Sequence, residues 1–214
     1  MESYASLLRD EIKPAASSRA EDYLERISNA ARRLDLLILD ALNYSQVLRG
    51  ECPLAPVDLQ SLIDQLIRSY PDFQPPKAEV RVEGELPVVQ GTVAGLTQCF
   101  SNLLGNAVKF VGPGVQPKVV IYSEPVPAGF RVWIKDNGIG IPAESHERVF
   151  NLFQRLDNRY PGTGIGLAIV RKVAEQMQGA AGVESEPDKG SRFWIDLKPA
   201  TANPISSVSL PAQV

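Results

Sequence analysis

The period of the apolar pattern changes at residue 50. Before it, apolar residues recur with a helical, seven-residue rhythm; after it they alternate in twos between short helical stretches. The break is "GECPLAP", where Gly50, Pro53 and Pro56 stop any helix from continuing. A chain punctuated this way folds in two parts. The expected division is a helical part over residues 1–50, a linker over 51–57, a mixed helix-and-strand domain over 58–199 and a Ser/Pro/Ala-rich tail over 200–214.

In the helical part, Tyr4, Leu7, Leu8 and Ile12 share a face, and Pro14 ends that helix. A longer helix is expected from about Arg19 to Arg49. Ile27, Leu34, Ala41 and Leu48 form one row along it, and Tyr23, Ala30, Leu37 and Tyr44 form the next. Two adjacent apolar rows make a stripe wider than one neighbouring helix covers. The simplest arrangement is a helical hairpin that dimerises into a four-helix bundle, so a homodimer through the N-terminal helices is expected. The alternative is a hairpin packed on its own globular domain.

In the second part, Asp58 reads as the N-cap of a helix carrying Leu59, Leu62, Ile63, Leu66 and Ile67. "AEVRVEGE", "KVVIYSE", "FRVWIKD", "AAGVESE" and "SRFWIDL" read as strands. "FSNLLGNAVKFVGPG", "PAESHERVFNLF" and "GIGLAIVRKVAEQM" read as helices. The fold class is therefore α+β: a helical hairpin followed by an α/β sandwich with helices on one face of a largely antiparallel sheet. Composition excludes some functions. The net charge of −3 offers nothing to nucleic acid as a whole. No apolar run reaches the ~20 residues of a membrane span, so no membrane contact is expected from this chain. Cys52 and Cys99 have no metal or redox spacing and fit a reducing compartment, hence a cytoplasmic location.

The chemistry lies in four places. On the helix around residue 104, Phe100, Leu103, Leu104, Ala107, Val108 and Val111 form the buried stripe. Asn102, Asn106 and Lys109 fall together off it. Amide oxygens suit a hard cation and an ammonium suits phosphate, so this face fits a magnesium–triphosphate. Asp136 follows the strand "FRVWIK" and can accept an amine proton, while Gly138 and Gly140 allow close approach of a flat ring. Gly162, Gly164 and Gly166 form a loop that enters a helix N-terminus, an anion site. "KGSRFWI" places another glycine before a strand.

These elements resemble those of sensor histidine kinases, whose ATP-binding fold is shared with the gyrase, Hsp90 and mismatch-repair ATPases. "NLLGNAVKF" resembles the N box, "DNGIGI" the G1 box, "VFNLFQRL" the F box, "GTGIGLAIV" the G2 box and "KGSRFWI" a G3 box with Ser191 where threonine is commoner. "AEDYLERISNAARRLDLLILDALNYSQVLRG" resembles the second helix of the family's dimerisation and phosphotransfer domain, and the short lid resembles that of bacteriophytochrome-like kinases.

The resemblance implies ATP and Mg²⁺ as cofactors and a response regulator receiver domain as partner. It places the adenine amine on Asp136, with Ser191 assisting through a water, and adds Gly138, Gly140 and Ile141 to the nucleotide site. It assigns Mg²⁺ to Asn106 with help from Asn102, and phosphate to Lys109. Gly164, Gly166 and Leu167 would offer backbone amides to phosphate oxygens, with Thr163 and Ile165 in the same nucleotide site; Phe150 and Phe153 would pack the lid; Arg155 and Arg159 lie in the lid, either reaching the γ-phosphate or in a solvated loop. Hydrolytic relatives carry a glutamate one turn before the metal-binding asparagine. This chain has Asn102 there, and an amide cannot take a proton from water. That favours phosphoryl transfer by positioning and charge neutralisation, with Asn102 and Lys109 as the catalytic pair. Serine-kinase anti-sigma factors share the nucleotide fold but lack the long helices.

The family's phosphoacceptor is a histidine on the first bundle helix. The sequence holds one histidine, His146, in "ESHERVF", outside that position. "MESYASLLRDEIKP" resembles the stretch that follows the acceptor motif. The expectation is a fragment that begins inside the first helix; the alternative is a natural relative that binds nucleotide as a scaffold or a weak ATPase, or serves a partner's histidine.

Overall fold

The structure, a computed structural model, describes residues 18–49, 53–157 and 159–200. Helix α1 (Ser18–Arg49) is the long helix that the heptad rhythm requires. Leu37 and Tyr44 pack against the core of the following domain. Tyr23, Ile27, Leu34, Ile38, Leu39 and Leu42 remain 49–58% exposed. The following domain thus covers one edge of the stripe and leaves the rest bare. The expected first helix of the hairpin, over residues 4–12, lies outside the described residues, as do residues 201–214 of the expected tail.

Strand β1 (Ala55–Asp58) starts inside the stretch read as a linker. It pairs antiparallel with β3 (Val88–Gly91) in a two-stranded sheet, Val57 opposite Val89. Both strands are four residues long, and Pro56 sits in one of them. Proline is tolerated there because this sheet has only edge strands.

The main sheet has five strands: β2 (Glu79–Val82), β4 (Lys118–Val126), β5 (Gly129–Asp136), β7 (Ser191–Leu197) and β6 (Ala180–Ser185), in the order β2-β4-β5-β7-β6. Only β2–β4 is parallel. Alternation sorts the faces. Val132 and Ile134 of β5, with Phe193, Ile195 and Leu197 of β7, enter the core. On the opposite face, Trp133 lies across from Trp194, and the Arg131 guanidinium sits 3.9 Å over the Trp194 ring while pairing bidentately with Asp196. By the same parity Asp136 belongs to the core-side face, at the strand's last residue.

Three helices cover that face. In α2 (Leu59–Ser69) the Asp58 carboxylate caps the first turn, accepting from Ser61 N at 3.1 Å and Ser61 Oγ at 2.7 Å. Thr92 Oγ1 caps α3 (Val93–Lys109) by accepting from Gly95 N. Its Leu96, Phe100, Leu103 and Leu104 are fully buried, each worth about 1.5–3 kcal/mol of transfer free energy. Helix α4 (Gly166–Gln176) packs beside it through Ile169, Val170 and Val173.

Two sequence expectations change. Val111 lies past the end of α3, so the buried stripe stops at Ala107 and Val108. "PAESHERVFNLF" is not an α-helix. It forms two 3₁₀ turns, Ala143–Ser145 and Arg148–Phe150, closed by i→i+3 bonds such as Ser145 N to Pro142 O and Asn151 N to Arg148 O. Extended backbone at Pro142 and again at Asn151 bounds the segment, so only two short turns fit between them. Val149 and Phe150 of the second turn are buried, Phe150 edge-on to Phe193.

Candidate nucleotide site

A cleft of about 290 Å³ opens between α3, the loop after β5, the segment from Gln154 to Gly164 and the flank of α1. It lies at the lower end of the range for small-molecule sites. Asp136 forms one end. It is 8% exposed, and burial pushes its carboxyl up to about 6, against two backbone donors that favour the charged form. Both donors, Gly138 N at 2.8 Å and Ser191 N at 3.0 Å, converge on Oδ1. Among the described residues no donor reaches Oδ2, so one carboxylate oxygen is left to whatever fills the cleft.

Ser191 belongs to the same end. Ser185 Oγ donates to Gly190 O at 2.8 Å and accepts from Ile141 N at 2.8 Å. With its proton so committed, the 3.0 Å contact between the two hydroxyls makes Ser191 the donor. Ser191 Oγ therefore keeps lone pairs for the cleft.

The glycines of "DNGIGI" serve a purpose different from the expected one. A Cβ on Gly140, at φ +69°, would stand 1.9 Å from Glu186 O, and one on Gly138 would stand 2.3 Å from Phe110 O. They let the loop approach the protein's own backbone. That approach is closed by Ile139 N bonding Phe110 O at 2.9 Å and Asp188 N bonding Ile139 O at 2.8 Å. The loop carrying Ile139, Gly140 and Ile141 is thereby fixed as a cleft wall. Gly138 stands behind it.

The other end is cationic. Asn102, Asn106 and Lys109 all line the cleft from α3. Asn102 Nδ2 donates to Gln98 O at 2.9 Å, and its Oδ1 would be 2.8 Å from a Cβ on Gly166, so glycine there is what lets α4 start against the asparagine. Asn106's amide makes no hydrogen bond among the described residues while lining the cleft. Lys109 Nζ sits 4.2 Å above the Phe110 ring. Burial lowers its pKa, the Arg155 charge lowers it further, and Asp40 opposes both.

The remaining expected residues divide. Thr163, Gly164, Gly166, Leu167 and Arg155 line the cleft; Ile165, 1% exposed, is core behind it. Arg155 donates to Tyr160 O at 2.8 Å. Arg159 turns away and pairs with Asp157 at 2.6 Å, its side chain 82% exposed. Phe153 does not pack the lid. It is 64% exposed at φ +61° and outside the cleft wall, whereas Phe150 is buried. Leu36 and Asp40 of α1, Phe110 and Tyr160 line the cleft without having been singled out from sequence. Tyr160 was findable as the lone aromatic before "PGTG". Asp40 offered only one acid amid "LLILDALNY".

Residues 91–201 match the family of histidine kinase-, DNA gyrase B- and HSP90-like ATPases, and the chain belongs to that family. Phytochrome-like protein Cph1 of Synechocystis sp. is 34% identical over 197 residues, covering 91% of this chain and 26% of that protein. Signal transduction histidine-protein kinase BarA of Escherichia coli (strain K12) is 31% identical over 207 residues, covering 88% and 22%. The chain thus spans about a quarter of these curated relatives. Among solved structures, full-length ShkA in complex with AMPPNP superposes with a TM-score of 0.68 at 29% identity, covering 93% of this chain and 42% of that one.

Proposed function

We propose that this chain is the ATP-binding catalytic part of a sensor histidine kinase and directs the γ-phosphoryl group of ATP to a histidine, for relay to a response regulator. The observation that carries the reading is the polarity of one cleft: a buried carboxylate with a free oxygen at one end, and two asparagines, a lysine and a glycine loop at the other. An adenine amine needs the first and a triphosphate the second. ShkA's AMPPNP complex, on the same fold, supports the assignment.

The residues fit a magnesium ion that arrives with the nucleotide. Among the described residues no cluster of three or more His, Cys, Asp or Glu could hold a metal. Mg²⁺ commonly takes only one or two protein oxygens and fills its shell with phosphate and water, and the amide oxygen of Asn106 can supply one. Bound there, the ion would neutralise phosphate charge. Lys109 and Arg155 add fixed positive charge, and Asn102, lacking a carboxylate, leaves water without a base. Phosphoryl transfer is then favoured over hydrolysis.

The bare stripe of α1 supports homodimerisation through that helix, the remaining apolar rows pairing in a bundle. The test of the central reading is titration calorimetry with ATP and Mg²⁺, followed by radiolabel transfer to an added helical domain carrying the family's acceptor histidine. Binding and labelling are the expected results; absence of ATP binding would refute the reading.

A further inference from the structure

Asp40 is half-buried on α1, on the face that also carries Leu37 and Tyr44 into the core contact. One turn earlier, Leu36 lines the same cleft. The carboxylate oxygen Oδ2 of Asp40 accepts a hydrogen bond from Thr163 Oγ1, in the glycine loop that precedes α4. Its charge is also felt by Lys109. The other acid at this end, Asp157, is occupied by Arg159. So an anion from the long helix is seated among the groups that the nucleotide reading gives to phosphate.

We propose that Asp40 is a specificity-determining residue of the nucleotide cleft: docked α1 places its carboxylate at the phosphate end, so that docking of the helix and binding of a triphosphate oppose each other. The proposal rests on the nucleotide reading above. Two like charges cannot share the Lys109–Thr163 end without repulsion. The penalty grows with the phosphate charge brought in, so ATP is disfavoured more than AMP. A reciprocal effect follows by linkage: whatever docked α1 does to ATP affinity, ATP does to docking. A purely structural hydrogen bond would lack this dependence on phosphate number.

Asp40→Asn isolates the charge, since the amide oxygen still accepts from Thr163. ATP with Mg²⁺ and AMP are titrated calorimetrically against both chains. ATP affinity should rise roughly five-fold or more in the variant, AMP affinity should stay within about two-fold, and the ATP gain should shrink at high salt. In the unsubstituted chain, deuterium uptake over residues 36–44 should rise on adding ATP and stay unchanged with AMP. Equal ATP affinities in the two chains, equal gains for ATP and AMP, or uptake insensitive to ATP would each overturn the role of Asp40 while leaving ATP binding intact. Absence of ATP binding in both chains would instead remove the nucleotide reading and this inference with it.

Discussion

Both hydrogen bonds to Asp136 end on Oδ1, and that asymmetry decides what a substitution does. In Asp136→Asn the amide oxygen can keep both backbone donors, which forces Nδ2 toward the cleft. The fold survives, but an adenine amine then meets a donor. ATP affinity should fall at least about ten-fold, the scale of one hydrogen bond to a charged group, with thermal stability unchanged or raised; calorimetry and a melting curve check this. The unsubstituted chain should also show a pH dependence. Burial raises this carboxyl from 3.8 to about 6, so the folded chain holds the proton more tightly than the unfolded one. The group's contribution to stability therefore falls as pH rises from about 4 to about 6 and stays lost above that. ATP binding runs the other way, because the amine requires the ionised form: affinity should rise through pH 6 and level off, with proton release on binding near pH 6. The slope should vanish in Asp136→Asn. Gly140→Ala tests the wall beside it. At φ +69° with Glu186 O at 1.9 Å, an added methyl group must displace backbone. A cost of at least about 1–3 kcal/mol is expected by denaturant unfolding, with nucleotide affinity lost alongside.

At the scale of elements, α1 makes a claim of its own. Leu34 is 49% exposed, in the row beside Leu37 and Tyr44 and not itself part of their core contact. Leu34→Glu should therefore leave the catalytic domain intact and abolish self-association. Light scattering should show a dimer for the unsubstituted chain and a monomer for the variant, both binding ATP equally; a monomeric unsubstituted chain at all concentrations would favour the hairpin packed on its own domain. Elements whose signal is periodic were legible: α1, α2, α4 and all five strands of the main sheet fall where period and caps put them, whereas α3 starts at Val93, seven residues before the stretch read as helix, and ends at Lys109. β1 and β3 were not legible. "APVD" and "VVQG" do not alternate polar with apolar residues as "EVRV" of the equally short β2 does, and Pro56 and Pro87 flank or interrupt them. The two 3₁₀ turns were missed because "PAESHERVFNLF" carries a helical composition, while its extended bounds at Pro142 and Asn151 are set by the fold around it. At the site, the motifs led to residues that share the cleft, such as Asn102, Asn106, Lys109, Asp136 and Ser191, but also to Phe153 and Arg159, which lie outside it, and Asp40 carried no such signal. Nothing in a heptad tells which turn of a long helix will lean on a distant loop.

The whole molecule joins the cleft proposed for ATP to a long helix with a bare apolar stripe, and its sequence contains a single imidazole. His146 lies between the two 3₁₀ turns, and its Nε2 is 3.1 Å from Ile141 O. Phosphoryl transfer requires the accepting nitrogen in line with the γ-phosphate. His146 is built into the domain that holds the nucleotide, with one nitrogen engaged by that domain's own backbone. Incubated with labelled ATP and Mg²⁺, the chain should thus bind nucleotide, hydrolyse it slowly for want of a base at Asn102, and retain no acid-labile phosphate. Supplying a separate helical domain with the family's acceptor histidine should move the label to that domain, and Lys109→Ala should reduce the transfer by about ten-fold or more, the scale of losing one charged contact to phosphate. Acid-labile phosphate mapped to His146 would contradict this account, because it would require the lid-proximal turns to open and carry the imidazole across its own cleft.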